Sequence, residues 1–277
     1  MTLIRQIKNV AFAAVAMVAL VLPATAQQAT QALTSESVIE TIKNNGVMRV
    51  GLSTFKPWAM RDKKGDLIGF EIDLANKLAA DMDVDVEFIP TAWDGIIPSL
   101  VGGKFDIIIS GMSVKTSRNM TLNFTDPVIY SGLALISNIE MTKGFTLEDY
   151  NNENVILSVR RGTTPATTLA ELFPKAQLLQ FDEEGASTQE VVNGNAHATM
   201  GSRPTPALDV ASYPDVLEVG LNGREFNPAF EAFAVRKGDF DALNLLNNWI
   251  KINTHSGFIK EREEYWFGSQ DWKELVE

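Results

Sequence analysis

The stretch FDIIISGMSVKTSRNMTLNFTDP, residues 105–127, decides the fold of this chain. Its apolar start, residues 105–109, is typical of a buried strand and stops abruptly at Ser110 and Gly111. A buried strand that ends at a glycine and opens a short helix leaves backbone N–H groups without partners, and such groups favour an anion. The guanidinium fork of Arg118, further along the stretch, matches the geometry of a carboxylate. The stretch therefore predicts a carboxylate site, and an ordinary strand-to-helix turn with a surface arginine is the alternative.

The N-terminus has the features of a secretory signal peptide over residues 1–26. Arg5 and Lys8 precede an apolar run, residues 10–22, that is too short for a comfortable transmembrane span. Residues 24–26, Ala-Thr-Ala, form a small-x-small cleavage site, and an uncleaved anchor is the alternative. Because the chain has no cysteine, we expect neither disulfides nor a lipid-modified cysteine. The N-terminus thus predicts a free periplasmic protein.

The charge balance is acidic, with 35 Asp and Glu residues against 24 Lys and Arg and a formal net charge of −11. An acidic surface argues against nucleic acid or anionic lipid as the partner. Strand and helix patterns alternate along the chain, which predicts an α/β fold. Two extended stretches, residues 128–137 and 230–236, lie where two runs of this alternation meet. A chain that leaves one α/β unit and later returns to it has two crossing strands, which suits a hinge between lobes.

Four motifs recur in an order that resembles a known family: GFEIDLANKLA (69–79), WDGIIPSL (93–100), the opening stretch extended to residue 131, and RRGTTPATTL (160–169). Together they resemble the periplasmic amino-acid-binding proteins of ABC importers, over essentially the whole chain after the signal peptide. The resemblance implies a two-lobed periplasmic-binding-protein fold with two hinge strands. Lobe one would comprise residues 40–133 plus 229–277, and lobe two residues 134–228. It also implies a monomer that hands a small solute to a membrane permease, without a cofactor.

The resemblance also implies roles for individual residues. Arg118 matches the arginine that pairs with the ligand carboxylate, and Ser110 and Ser113 match positions that offer a carbonyl or hydroxyl group to the ligand head group. Thr163 and Thr164 lie in the turn of lobe two that reaches the same carboxylate. Donors from both lobes on one carboxylate would couple binding to closure.

Four further positions match residues around the ligand side chain in this family. Phe55 and Trp93 match aromatic positions that sandwich the side chain, and Trp58 is expected at the pocket mouth. Glu71 corresponds to a position where some binders of basic amino acids contact the ligand. Packing is the alternative for each aromatic residue, and a solvated helix start is the alternative for Glu71.

One position departs from the family pattern. Ser202 stands where amino-acid receptors have the aspartate that holds the ligand ammonium, and a hydroxyl group cannot balance a buried ammonium as a carboxylate does. Three ligand classes stay open. They are a carboxylate without an α-ammonium, a betaine held against aromatic rings, and an amino acid whose ammonium finds Glu71 or another acid.

The main alternative function is enzymatic, because cyclohexadienyl dehydratases share this fold. Their pattern carries a catalytic glutamate just after the turn that matches Thr163 and Thr164, where this chain has Pro165, which has no proton to give. His197 and His255 are the only histidines and cysteine is absent, which argues against a soft-metal site. We therefore expect a binding protein for a small carboxylate solute, with no catalytic residue and no metal.

Overall fold

The computed structural model describes residues 37–183 and 185–276, so the predicted signal peptide, residues 1–26, lies outside the described residues. Strands and helices alternate along the chain. The helices are α1 Val38–Asn45, α2 Phe70–Asp81, α3 Ile96–Val101, α4 Thr116–Asn119, α5 Thr164–Leu172, α6 Ala186–Val192, α7 Thr205–Ser212, α8 Phe240–His255 and α9 Phe258–Glu263. The strands are β1 Val47–Leu52, β2 Met60–Arg61, β3 Leu67–Ile68, β4 Asp85–Pro90, β5 Ile107–Ile108, β6 Leu122–Phe124, β7 Ile129–Asn138, β8 Ile156–Arg160, β9 Gln177–Phe181, β10 Ala198–Ser202, β11 Leu217–Val219, β12 Phe226–Glu231 and β13 Ala234–Arg236.

The strands form two mixed sheets and one small hairpin, β2–β3. The first sheet has the order β4-β1-β5-β13-β6, in which β13 runs antiparallel to its two neighbours. The second sheet has the order β11-β7-β10-β8-β9, and β12 also pairs with β7. Within it β10, β8 and β9 are parallel, whereas β7 is antiparallel to β10, β11 and β12. The predicted α/β alternation thus resolves into two separate sheets.

The chain passes between the sheets at two places that lie side by side. After β6 of the first sheet it enters β7 of the second, and after β12 of the second it returns to β13 of the first. The two passing segments are paired, with Ile129 opposite Glu231. The two extended stretches are therefore neighbours, and the chain does return to its first sheet. The lobe limits, residues 40–133 with 229–277 and residues 134–228, stay a prediction.

Each sheet has its own apolar core. Helix α2 buries Phe70, Leu74 and Leu78 against the first sheet, on the face that its helical spacing predicts. The second sheet packs around Leu135 and Leu157. Within residues 37–183 and 185–276, no helix combines the length and the apolar character that a membrane span requires.

The segment after β5 differs from the sequence prediction. Helix α4 begins only at Thr116, so Gly111 does not open it. Ser113 forms a β-bridge with Glu231, and the Val114 N–H donates to a carbonyl of β12, which keeps the backbone extended at this point. Any anion site here must therefore depend on side chains rather than on the start of α4.

Asp239 caps two helices that are far apart in sequence. Its carboxylate accepts hydrogen bonds from the backbone N–H of Val38 at 2.7 Å and of Ala242 at 3.0 Å. We expect Asp239→Ala to lower the free energy of unfolding by about 2 kcal/mol, because each lost cap costs roughly 1 kcal/mol. Urea unfolding measures the change. Asp241→Ala, an exposed acid in the same first turn, is the control, and equal stability of the two variants would contradict the double cap.

Candidate ligand-binding site

A pocket lies between the two sheets. One wall comes from loops of the first sheet, and the other comes from strands and helix starts of the second sheet. The lining residues are Phe55, Trp93, Gly111, Ser113, Ile136, Arg160, Thr163, Thr164, Pro165, Ser187, Thr188, Thr199, Met200, Gly201, Ser202, Thr205 and Asp209. The structure therefore brings together six of the predicted site residues as pocket lining: Phe55, Trp93, Ser113, Thr163, Thr164 and Ser202.

The wall of the second sheet follows from its topology. β8 and β10 are parallel neighbours, with Leu157 opposite Ala198. The carboxyl ends of parallel strands meet at one edge of a sheet, where open α/β sheets bind ligands. Helices α5 and α7 follow these two ends, and so Thr163, Thr164 and Ser202 reach the same pocket.

Thr163 and Thr164 form the start of α5. The Thr163 hydroxyl accepts a hydrogen bond from the Ala166 N–H at 3.3 Å and donates to the Arg160 carbonyl at 2.7 Å. The Thr164 hydroxyl donates to Ser113 Oγ in the opposite wall at 3.2 Å. The N-terminus of a helix favours an anion, so this end of the pocket suits a negatively charged group.

Arg118 lies beside the pocket, between its two walls. Its guanidinium donates to the Ser113 carbonyl at 2.9 Å and to the Gly162 carbonyl, in the opposite wall, at 3.4 Å. Its Cζ lies 5.5 Å from the centre of the Trp93 ring. Burial lowers the pKa of Arg118, and the charge of Glu231 opposes that shift; an arginine nevertheless stays charged in a protein. Arg118 is thus a half-buried positive charge at the cleft rather than a surface arginine that faces outward.

Two of the predicted residues outside the lining, Ser110 and Trp58, are fully buried. Ser110 is 1% exposed, and its hydroxyl accepts from the Ser53 N–H at 2.8 Å, so it holds two chain segments together. Trp58 is also 1% exposed and lies in the core, 4.7 Å from Phe267 and 5.5 Å from Phe55 between ring centres. The expectation that Trp58 lines the pocket mouth therefore fails, because Phe55 covers it. Phe55 itself is part of the lining.

Glu71 lies behind the pocket rather than in it. Its Oε1 accepts a hydrogen bond from the N–H of Gly111, a lining residue. Glu231 accepts hydrogen bonds from Ser113 at 3.2 Å and Ser131 at 2.6 Å. The Oε2 atoms of both glutamates have no hydrogen-bond partner in the part of the chain that the structure describes, and both residues line one small cavity. Burial is the main cause that raises the pKa of Glu71 to about 8 and that of Glu231 to about 7.

Two charged residues of the pocket were not predicted from the sequence. Arg160, at the end of β8, donates to Ser53 Oγ across the cleft at 2.7 Å, and its Cζ lies 5.9 Å from the Trp93 ring centre. Asp209, on α7, accepts a hydrogen bond from the Thr188 hydroxyl at 2.8 Å. The position of Arg160 at a strand end was a usable signal. No sequence signal marked Asp209, because its position in the pocket depends on how α7 packs against the second sheet.

The pocket shows no sign of a metal site. No group of three or more potential ligands occurs within residues 37–183 and 185–276. His197 lies away from the pocket, where its Nδ1 accepts a hydrogen bond from the Ile156 N–H at 3.1 Å.

Comparisons with known proteins agree on the family. The sequence pattern of the bacterial extracellular solute-binding proteins, family 3, matches residues 48–269. The L-cystine-binding protein TcyJ of Escherichia coli K12 is 28% identical over 84% of this chain and 87% of its own length. Cyclohexadienyl dehydratase of Pseudomonas aeruginosa is 26% identical over 83% of this chain and 86% of its own length. The relatives found include transport binding proteins as well as this enzyme.

A solved structure extends the likeness to the fold. The putative binding component of an ABC transporter from Wolinella succinogenes, complexed with lysine, superposes with a TM-score of 0.78 at 36% identity, covering 83% of this chain and 99% of that one. The two-lobed α/β fold and the resemblance to amino-acid-binding proteins of ABC importers are therefore confirmed. A periplasmic location is typical of this family.

The buried glutamates predict how stability depends on pH. An acid whose pKa is raised on folding stays protonated in the folded state while it ionises in the unfolded state, so the free energy of unfolding falls as pH rises from about 4.5 to about 8. Glu71→Gln cannot ionise but can still accept the Gly111 N–H. We expect the free energy of unfolding of this variant to decrease less between pH 5 and pH 8 than that of the wild type does, by a few kcal/mol. Urea unfolding at the two pH values measures the difference. Glu87→Gln, on the exposed face of β4, should keep the wild-type slope, and an unchanged slope in Glu71→Gln would contradict the assignment.

Proposed function

We propose that this chain, which belongs to family 3 of the bacterial extracellular solute-binding proteins, binds a small solute through its carboxylate group. The observation that carries the proposal is the position of Arg118. Its guanidinium lies between the walls of the pocket and already contacts both of them. A planar fork of donors at this place suits a carboxylate better than it suits a neutral group.

The surroundings of Arg118 support the same group. The start of α5, with Thr163 and Thr164, lies in the facing wall and favours an anion. Arg160 adds a second guanidinium near the same Trp93 ring. Burial raises the pKa of Glu71, behind the pocket, to about 8, so this carboxyl group cancels little of the positive charge at neutral pH.

The family works with ABC transporter permeases, and its members bind small solutes. On this basis the protein captures its solute as a monomer in the periplasm, after cleavage of residues 1–26, and delivers it to a permease. Both walls contact the carboxylate, so ligand binding favours the closed arrangement of the lobes. No covalent step is part of this function.

A test of the carboxylate site starts from a thermal-shift screen over amino acids, keto acids, aromatic acids and betaines, since a bound ligand raises the melting temperature. We expect Arg118→Ala and Arg118→Lys to lose about 100-fold or more in affinity for any carboxylate ligand found, equivalent to about 3 kcal/mol. Titration calorimetry measures the loss. Arg161→Gln, which removes an exposed arginine paired with Asp182, should bind as the wild type does. Unchanged affinity in Arg118→Ala would eliminate the site.

The dehydratase relative provides a second test. The position after Thr163 and Thr164 is Pro165, which lines the pocket and has no proton to donate. We therefore expect no aromatic product when the purified protein is incubated with prephenate or arogenate. Ultraviolet absorbance follows the reaction. Asp209 is the one acid among the described lining residues. If the wild type forms product and Asp209→Asn does not, the protein is an enzyme.

A further inference from the structure

Asp209 is a carboxylate in the pocket wall that lacks a cationic partner among residues 37–183 and 185–276. Its Oδ2 accepts the hydrogen bond from Thr188, and Oδ1 accepts none from the described residues. None of the ion pairs formed within residues 37–183 and 185–276 includes Asp209. The side chain is only half-buried, on the pocket side of α7.

The charge of Lys56 acts on Asp209 and lowers the pKa of its carboxyl group. The two side chains form no ion pair within residues 37–183 and 185–276. The Lys56 ammonium lies 5.2 Å from the centre of the Trp272 ring, where it makes a cation–π contact. Burial raises the pKa of Asp209, and Thr188 and Lys56 only partly offset that effect. A carboxylate partly shielded from water is stabilised by a paired cation, and the described residues do not supply one.

The neighbouring strand end makes the position of Asp209 informative. Ser202 ends β10, and α7 begins at Thr205 and carries Asp209 back over the same edge of the sheet. Ser202 and Asp209 both line the pocket. A neutral residue therefore occupies the strand end, and the negative charge of this wall comes from the helix that follows it.

We propose that Asp209 binds an ammonium or guanidinium group of the ligand, with Thr188 fixing the orientation of its carboxylate. This assignment rests on the proposed carboxylate site and narrows its substrate class. The ligand carries a carboxylate for the Arg118 side of the pocket and a cation with N–H donors for Asp209. Of the three ligand classes left open by the sequence, this selects amino acids over plain organic acids and over betaines, whose quaternary nitrogen has no N–H.

Four probes of one chain length separate the two groups: L-lysine, L-norleucine, ε-aminocaproate and caproate. All four carry a carboxylate, the first three carry one or two ammonium groups, and caproate carries none. Titration calorimetry is done on the mature wild-type protein, on Asp209→Asn and on Asp215→Asn. Asp215 is an exposed acid just after α7, so its variant removes the same charge outside the pocket.

We expect at least one ammonium-bearing probe to bind the wild type at least tenfold more tightly than caproate does. Asp209→Asn should weaken that probe at least tenfold and leave caproate within threefold of its wild-type affinity, whereas Asp215→Asn should change neither. Asparagine can still accept the Thr188 hydrogen bond, so folding should survive, and thermal unfolding checks this. Asp209→Glu, which keeps the charge, should restore part of the lost affinity.

The outcomes separate this assignment from the carboxylate site. If Asp209→Asn changes all four probes equally, or none, the assignment to Asp209 is overturned while an Arg118-dependent carboxylate site stands. If caproate binds the wild type as tightly as all three ammonium-bearing probes do, a cation has no place in the pocket and the assignment also fails. If none of the four probes binds the wild type at millimolar concentration, the carboxylate site and the Asp209 assignment fall together.

Discussion

The pairing of β7 with β12 is the constraint on which the rest of the structure depends. The chain crosses between its sheets in these two neighbouring segments, so the sheets are joined along a single line. A pocket between them is then bounded on the hinge side by the crossing strands. Glu231, on β12, accepts hydrogen bonds from Ser131 of β7 and from Ser113 of the pocket wall. The hinge and the binding site therefore share one buried carboxylate.

The charges of the site follow from burial. Glu71 and Glu231 lie behind the pocket, where desolvation favours their protonated forms. Arg118 and Arg160 cannot be neutralised in the same way, because the guanidinium group keeps its proton. The Arg118 side of the cleft thus keeps a positive charge although carboxyl groups lie behind it. Ionised glutamates at those two positions would oppose an anionic ligand head group.

The sequence predicted what depends on local pattern and missed what depends on packing. The α/β alternation and the helical face of α2 follow from residue spacing alone. The wall formed by Thr163 and Thr164 was likewise accessible, because a hydroxyl-rich turn before a helix has its own signature. The local sequence does not determine whether an aromatic side chain faces a ligand or the core. Phe55 lines the pocket and Trp58 lies in the core, although the two residues are close in sequence and their rings stack. Asp209 was missed for the same reason, since no motif marks the face of α7 that meets the pocket.

The two polar ends of the pocket, one at Arg118 and one at Asp209, differ in how they can affect closure of the lobes. Three hydrogen bonds join the walls: from Arg118 to Gly162, from Arg160 to Ser53 and between Thr164 and Ser113. Each contributes on the order of 1 to 3 kcal/mol, with the higher values for the two bonds that a charged guanidinium donates. A ligand carboxylate that contacts both walls would add charge-assisted hydrogen bonds that exist only when the walls are together. The ligand would then bind the closed form more tightly than the open form, and this difference in affinity shifts the equilibrium towards the closed form. Asp209 and Thr188, by contrast, both belong to the second-sheet wall. On the proposed assignments, a cation held there would add affinity in either form. The Asp209 end would then select the solute, and the carboxylate end would close the lobes over it.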